Sequence, residues 1–254
     1  MIILKSAREI ALMREAGRLV AQTHQMVREI LRPGITTGGI DRRVEEMIRG
    51  RGAIPSFKNY PNSAGGRPYP GSCCISVNEE LVHGIPGSRR LLDSDIVSVD
   101  IGVILKGYHG DSGWTYAIGE ISPEARRLME VTEQSLWAAI DRARDGGHLG
   151  DIGHTVQRVV ESNGFHIVRE YVGHGIGRKM HEDPQIPNFG EPGRGPRLRA
   201  GMTLAIEPMV QAGDARTETL ADDWTVVSYD RSLAAHFEHT VAITKDGPVL
   251  LTIL

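Results

Sequence analysis

The sequence predicts an α/β chain made of two similar halves that share one system of sheets. The main observation is a helix–turn–helix pattern followed by strands, which occurs once in each half. The two copies are separated by a constant offset of 112 positions. Its markers are Gly34 and Gly146, Ile40 and Ile152, Val44 and Val156, Ile48 and Val160, and Gly52 and Gly164. We expect one domain over residues 1–254, with an internal repeat of about 1–118 and 119–254.

The helices of the first half are marked by their ends. A first helix is predicted from Ser6 to Leu31, because Ser6 and Glu9 can form a capping box and apolar residues recur on one side. It ends at the turn that contains Gly34. A second helix follows and ends at Gly52, a residue type that commonly terminates helices.

The second half repeats this order, and strands follow in both halves. Ser122 and Pro123 open a helix that should run to about Arg144, and another helix ends before Gly164. Runs of apolar, β-branched residues predict strands. The clearest of these runs are residues 96–103, 203–206 and 238–243.

Composition limits the classes of protein to which the chain can belong. With 40% hydrophobic residues and a net charge of −3, no general nucleic-acid surface is indicated, and no apolar stretch reaches membrane-spanning length. The opening MIILK is too short for a signal-peptide core. Cys73 and Cys74 are the only two cysteines and are adjacent, so their adjacency excludes a disulfide framework and their number excludes a zinc finger. These features predict a cytoplasmic protein.

Four carboxylates and one imidazole in distinctive local strings have the composition of a dinuclear metal site. Such oxygen-rich ligation suits Mn, Fe(II) or Co(II) better than a closed tetrahedral zinc site. Two divalent ions would balance the four negative charges, whereas without them each carboxylate pair at about 4 Å would repel by about 4 kcal/mol at an effective dielectric of about 20. The five candidates are Asp100, Asp111, His174, Glu207 and Glu238.

Each candidate also has a simpler interpretation. A carboxylate beside glycine is usually a turn residue, and the string GYHGDSG around Asp111 could be an ordinary hairpin turn. Asp100, Glu207 and Glu238 lie in or beside predicted strands, where an unpaired carboxylate would be costly. His174 stands between two glycines, as a backbone approached closely by a ligand would require.

The motifs together resemble the type I methionine aminopeptidases, over nearly the whole chain. The resemblance implies the α/β "pita-bread" fold, with two pseudo-symmetric halves around a central antiparallel sheet system. It also implies a hydrolase that removes the initiator methionine when the second residue is small, by attack of a metal-activated hydroxide on the methionine carbonyl. The motifs are SCCISVNEELVHGIP, DIVSVDIG, GYHGD, GHGIGRKMHEDP, GMTLAIEPMV and DWTVVSYDRSLAAHFEHT.

The resemblance implies a role for each site residue. Asp100 would bind one metal ion, Asp111 and Glu238 would bridge two, and His174 and Glu207 would bind the other. The ions would be Co, Mn, Fe(II) or Zn. Glu207 would also carry a proton, while His181 and His83 would contact the scissile carbonyl and the next backbone nitrogen. A pocket for the methionine side chain would be formed by Phe57, Tyr60, Tyr69, Cys74, Met180 and Trp224.

The chain departs from the usual family pattern at a few positions. Gly102 stands where many members have Thr, Met180 where many have Phe, and His236 where many have Gln. The stretch of residues 61–71 is longer than usual. His109, His236 and His239 flank candidate ligands and are interpreted as packing or supporting groups.

Other functions remain as alternatives. A prolidase would use a similar metal set but usually carries a separate N-terminal domain, and a type II methionine aminopeptidase carries a large helical insertion. A metal-free adaptor of this fold should lose ligands and gain basic surface. We expect the partners to be nascent polypeptide N-termini, with transient ribosome association, no direct nucleic-acid motif, no membrane contact and a monomeric state.

Overall fold

The structure is a computed structural model that describes residues 1–62 and 65–254. Ser63 and Ala64, in the long 61–71 stretch, lie outside the described residues. The helices are α1 (Ala7–Ile30), α2 (Thr37–Gly50), α3 (Pro123–Ile140) and α4 (Leu149–Ser162). The strands are β1 (Ile54–Pro55), β2 (Cys74–Val77), β3 (Glu80–Val82), β4 (Ile96–Leu105), β5 (Tyr108–Ala117), β6 (His166–Ile167), β7 (Gly173–Gly175), β8 (Glu182–Ile186), β9 (Thr203–Ile206), β10 (Met209–Gln211), β11 (Thr217–Thr219), β12 (Val226–Ser228), β13 (Ala234–His236), β14 (His239–Thr244) and β15 (Gly247–Leu250).

Helix α1 begins where the sequence predicts. The Ser6 hydroxyl accepts a hydrogen bond from the Glu9 backbone N–H at 3.3 Å, and the Glu9 carboxylate accepts one from the Ser6 N–H at 2.9 Å. This capping box satisfies two of the donors that a helix start leaves without partners. The helix ends at Ile30, with Leu31 as its C-terminal cap, and packs across β4 and β5.

The bounds of two helices keep the internal offset of 112 positions. Helices α2 and α4 are both 14 residues long, and each begins and ends at positions separated by that offset. The turns before them contain Gly34 and Gly146, at φ of 87° and 92°, and those after them contain Gly52 and Gly164, at 71° and 80°. Because left-handed backbone strains residues with a Cβ atom, glycine is favoured at all four turns.

Helix α3 is shorter than predicted. It ends at Ile140, because the N–H groups of Arg142 and Ala143 bond to carbonyls three residues earlier and so tighten the chain toward Gly146. The predicted end near Arg144 is therefore wrong by one helical turn.

The strand pairings described are all antiparallel, as expected. One sheet is centred on β4, which pairs with β5 along one edge and with β1 and β2 along the other. A five-stranded sheet runs in the order β15-β14-β9-β7-β8. Short sheets of β13-β10-β6 and β11-β12-β3 complete the arrangement.

Each half has its own hydrophobic core. In the first half, Val20, Val44 and neighbouring apolar residues pack against the β4 sheet. In the second half, α3 and α4 cover the five-stranded sheet through residues such as Leu136 and Val156. No described helix is both long and apolar enough to cross a membrane.

The two halves meet where β5 runs beside β13 and β14. The Glu238 N–H donates to the Gly113 carbonyl at 2.7 Å. The Thr240 hydroxyl accepts from the Asp111 N–H at 3.1 Å and donates to the Asp111 carbonyl at 2.8 Å. These bonds fix the junction of the two sheets, and the polar side chains beside it face a cavity.

Candidate metal centre and active-site cavity

A cavity of about 450 Å³ lies at this junction, and every site residue expected from the sequence lines it. The structure therefore brings together side chains that are up to 181 positions apart in the chain. The expected residues in the lining are Phe57, Tyr60, Tyr69, Cys74, His83, Asp100, Asp111, His174, Met180, His181, Glu207, Trp224 and Glu238.

The first half contributes two carboxylates from one hairpin. Asp100 on β4 pairs with Gly113, and Asp111 on β5 pairs with Gly102, so the two carboxylates are diagonal neighbours on the same face. The hairpin turn is at Lys106 and Gly107, both at positive φ. Asp111 is therefore in the middle of a strand, and the interpretation of its string as a simple turn is wrong.

The second half contributes His174 from β7 and two glutamates from strand ends. The His174 Nε2 lies 3.7 Å from Asp111 Oδ2 and 3.6 Å from Glu207 Oε1. The Nδ1 of His174 lies 2.9 Å from the Gly175 carbonyl. Because that carbonyl can only accept, Nδ1 carries a proton, so Nε2 is the nitrogen that would bind a metal ion held between the ring and the carboxylates.

The structural reason for the glycines on either side of His174 differs from the one predicted. A Cβ atom on Gly173 would lie 2.5 Å from the Ala205 carbonyl oxygen, and one on Gly175 would lie 2.2 Å from that of Asp183. Glycine is needed here because the neighbouring strands pass too close for a side chain. The expectation that a ligand's approach requires them was wrong.

The carboxylate cluster contains buried oxygens that accept no hydrogen bond from any residue the structure describes. Among the described residues, Asp100 Oδ1, Asp111 Oδ1 and Glu238 Oε1 are buried atoms without a hydrogen-bond partner. Burial, reinforced by the neighbouring carboxylates, raises the pKa of Asp100 and of Glu238 well above its ordinary value.

Divalent cations fit this donor set. Asp111, His174 and Glu238 can each place one ligand atom within 4.8 Å of the others, a spacing that one ion can bridge. Bound cations would satisfy the orphaned oxygens and compensate the buried negative charge. The residues present therefore suit divalent metal ions, with oxygen and nitrogen as ligand atoms.

Two further histidines line the cavity. The His181 ring is tilted by 59° against that of His174, with centroids 4.3 Å apart, and its Nδ1 is 2.5 Å from the Tyr60 hydroxyl. His83 has a positive φ of 59° and lies edge-on to Trp224 at 6.1 Å. Burial, the largest cause, lowers the pKa of both histidines to about 4, so both are neutral at pH 7.

The remaining wall is apolar and aromatic. The Tyr69 ring meets those of Trp224 and Phe57 edge-on, at centroid distances of 5.2 Å and 6.5 Å. The Cys74 and Met180 side chains are buried beside these rings. The wall can therefore surround an apolar side chain with sulfur and aromatic surface next to the carboxylate cluster.

Comparison with known proteins identifies the family. Residues 11–245 match metallopeptidase family M24. The chain belongs to this family. It is 55% identical to methionine aminopeptidase 1 of Bacillus subtilis (strain 168) over 252 residues, which is 99% of each chain. It superposes on the crystal structure of methionine aminopeptidase from Thermotoga maritima with a TM-score of 0.95, at 45% identity and with all of both chains covered.

More distant M24 structures share the fold. Prolidase from Pyrococcus furiosus superposes with a TM-score of 0.78 at 21% identity, over 99% of this chain and 66% of that one. The expected family, the pita-bread fold and the metal-dependent peptidase class are thus confirmed.

The structure also accounts for two departures from the usual pattern. A Cβ atom at Gly102 would lie 2.7 Å from the Ser56 Cβ and 3.2 Å from the Met180 Cε. Ser56 and Met180 therefore occupy the space that a larger side chain at position 102 would need. The departures at Gly102 and Met180 are thus structurally linked.

Several residues of the lining were missed from the sequence. Tyr171 is the clearest, because its ring lies edge-on to His83 at 5.8 Å. Its position three residues before His174 is the only signal that could have indicated it. Pro61, Asn62, Thr219 and Asp223 also line the cavity, and no local pattern marks them.

The flanking histidines occupy supporting positions. His109 Nδ1 lies 2.9 Å from the Ser56 hydroxyl, and His239 Nδ1 lies 2.7 Å from the Thr252 hydroxyl. His236 differs from them, because its Nε2 faces Glu207 and Glu238 at 3.5 Å and 3.9 Å.

Proposed function

We propose that this metallopeptidase removes the N-terminal methionine from polypeptides whose second residue is small. The observation that carries the proposal is that one cavity contains the carboxylate cluster, two neutral histidines and an apolar wall rich in sulfur and aromatic rings. Its volume of about 450 Å³ is in the range of sites that enclose a small ligand. The names of the relatives from Bacillus subtilis and Thermotoga maritima support the same activity.

Asp100, Asp111, His174, Glu207 and Glu238 would hold the metal ions. Divalent ions bound there would supply Lewis-acid polarisation and a nucleophile at neutral pH. Glu207 has a side chain that is 13% exposed, which makes it the candidate for moving a proton to the leaving nitrogen.

His181 would stabilise the negative charge that develops on the scissile carbonyl oxygen. When the Tyr60 hydroxyl donates to Nδ1, the imidazole carries its proton on Nε2 and can donate it to the substrate. His83 would contact the backbone nitrogen of the second residue. Its position on the same cavity wall as Trp224 supports this role.

The methionine side chain would occupy the apolar part of the cavity. Phe57, Tyr69, Cys74, Met180 and Trp224 would contact it, and Tyr60 would bound the pocket near His181. Sulfur and aromatic surfaces make favourable contacts with a thioether. A branched or charged first residue would lose these contacts.

A peptide assay tests the proposal. Met-Gly-Xaa peptides should be cleaved in the presence of added Mn, Fe(II) or Co(II), whereas Ala-Pro-Xaa peptides, which suit a prolidase, should not. A Met-Ala peptide should be strongly preferred to a matched Met-Ile peptide in kcat/KM. Cleavage of Ala-Pro-Xaa in preference to Met-Gly-Xaa would defeat the proposal.

We further propose a single catalytic domain that acts as a cytoplasmic monomer on nascent chains, with transient ribosome association. The net charge of −3 is close to neutral, which favours brief contact with the ribosome over tight binding of nucleic acid. Sedimentation velocity should give the mass of one chain, and co-sedimentation with ribosomes should be lost as salt is raised.

A further inference from the structure

We propose that His236 is a positioning residue that donates a hydrogen bond from its Nε2–H to the Glu207 carboxylate. The bond would hold Glu207 in the orientation that metal binding and proton transfer need. This inference rests on the proposed function, in which Glu207 is both a ligand and a proton carrier.

The first observation is an unused polar atom. The His236 side chain is 2% exposed, and its Nε2 has no hydrogen-bond partner among the described residues. Leaving a buried polar group unpaired costs about 1–3 kcal/mol. Nearby, Glu207 Oε2 lies at 3.5 Å and Glu238 Oε2 at 3.9 Å. The nitrogen is therefore directed at the carboxylate cluster and not at the hydrophobic core.

The backbone of His236 is fixed on both sides. It pairs with Met209, so that β13 lies beside the strand that follows Glu207. The Thr115 hydroxyl accepts from the His236 N–H at 3.0 Å and donates to the His236 carbonyl at 2.8 Å. These bonds leave the ring little freedom to point elsewhere.

Gly113 provides the space for the ring. A Cβ atom on Gly113 would lie 2.6 Å from the His236 Cε1, so any other residue at that position would displace the imidazole. Strand β5 is thus shaped to accommodate His236 beside the cluster, in the same strand that carries Asp111.

The chemistry of the neighbours sets the direction of the bond. Both atoms that face Nε2 are carboxylate oxygens, and with divalent ions bound in the cluster these carboxylates would be ionised and could only accept. A lone pair on Nε2 would be repelled by them, whereas a proton on Nε2 would be attracted. The distance of 3.5 Å to Glu207 is slightly longer than a formed hydrogen bond, so the proposed bond requires Nε2 and Glu207 Oε2 to approach each other by a few tenths of an ångström.

This arrangement gives the two oxygens of Glu207 different tasks. Oε1 faces the His174 Nε2 at 3.6 Å, on the side of the candidate ligands, and Oε2 faces His236. The Asn188 side-chain amide donates to the Glu207 backbone carbonyl at 2.9 Å and fixes the chain at the same residue. Supporting partners of this kind commonly contribute 10–100-fold to metal affinity or activity, in order of magnitude.

Nitrogen NMR of the intact protein tests the proton's position. In zinc-loaded protein with 15N-labelled histidine, the His236 Nε2 should show a directly bonded proton. His236→Gln identifies the resonance by its loss. An Nε2 without a proton would overturn the proposal, because the nitrogen would then be a metal ligand or an acceptor. The measurement needs no peptide, so it is independent of whether the enzyme cleaves methionine.

A pair of variants tests the consequence. His236→Leu keeps apolar bulk but removes the donor, and should weaken metal binding measured by calorimetry by about 10–100-fold and lower kcat by a similar factor. His236→Gln keeps an N–H donor and should restore both to within a few-fold of wild type. Wild-type metal affinity in the Leu variant, or no recovery in the Gln variant, would overturn the proposal. If the Leu variant does not fold, the NMR result alone decides it.

Discussion

His181 shows at the scale of one residue how neighbours prepare a side chain for its task. The Tyr60 hydroxyl engages Nδ1 at 2.5 Å, and the His174 ring lies 4.3 Å away. Burial first, and His174 second, lower the pKa of His181 to about 4. The ring is therefore neutral at pH 7, and its donor is fixed by the bond to Tyr60.

His181→Ala should lower kcat by about 10²–10³-fold, the usual effect of removing one oxyanion donor. Its metal content, measured by atomic emission, should equal that of wild type, because His181 is not among the proposed ligands. Tyr60→Phe is the matched control: it leaves the imidazole in place and should cost less. Purification of His181→Ala without its metal would show instead that His181 is a ligand.

At the scale of elements, the segment before α1 supports the loop that carries His181. The Lys5 N–H donates to the Gly201 carbonyl at 2.7 Å, and the Lys5 Nζ donates to Glu182 Oε2 at 2.6 Å. The side chains of this ion pair are 4% and 7% exposed. Glu182 also accepts from the Lys179 N–H at 3.1 Å, so the pair fixes both ends of the turn around His181.

Lys5→Met should lower the free energy of unfolding by about 3–5 kcal/mol, because it leaves the Glu182 carboxylate buried without its cation. The double variant Lys5→Met with Glu182→Gln should recover part of this loss, since no charge then remains unpaired. Urea unfolding of the three proteins measures both effects. Equal stability of wild type and Lys5→Met would show that the pair contributes nothing to the fold.

His24 links α1 to β5 and makes folding sensitive to pH. Its ring nitrogens lie 2.9 Å from the Tyr116 hydroxyl and 2.8 Å from the Ser112 carbonyl. Burial, the dominant cause, lowers the pKa of His24 from 6.5 to about 4. The folded state thus binds fewer protons than the unfolded state between these values, and its stability falls as pH drops from 6.5 toward 4.

His24→Gln should reduce this dependence. The wild-type free energy of unfolding should fall by about 1 kcal/mol more per pH unit than that of the variant between pH 6 and pH 4.5. The slopes are compared and not the absolute stabilities, because the variant also changes two hydrogen bonds. Parallel slopes in urea titrations would show that His24 does not couple folding to protons.

At the scale of the whole molecule, the proposed metal centre lies between the two halves. Asp100 and Asp111 come from the first half, and His174, Glu207 and Glu238 come from the second. The junction that places them is made by hydrogen bonds between β5 and β14. Metal binding should therefore stabilise the folded chain as a whole, because the unfolded chain offers no such site.

Exhaustive chelation should abolish peptidase activity, and Mn, Fe(II) or Co(II) should restore it. Free metal at about 100 times its dissociation constant should add about 2.7 kcal/mol of stability and raise Tm. Calorimetry with and without the added metal ion measures the rise in Tm. The control is a magnesium-free buffer that contains a salt whose cation does not bind the protein. Full turnover by protein verified to be metal-free would contradict metal dependence.

The sequence alone predicted the family, which the comparisons confirm, and the chemical types of the residues that line the cavity. Periodicity and caps define helices locally, which is why both ends of α1 were predicted to within one residue and the end of α2 to within two. The end of α3 was predicted about one turn too late, because the tight turns before Gly146 do not change the spacing of apolar residues enough to be recognised.

The structural roles of several residues depend on contacts that form only in the folded chain. Asp111 could be a turn or a strand residue until its pairing with Gly102 was seen. The glycines around His174 proved to serve strand packing, and Gly113 to make room for His236. Tyr171 lines the cavity although its only local signal is its position three residues before His174. The physical reason is the same in each case: close approach between distant strands depends on register and sheet twist, which are properties of the assembled fold.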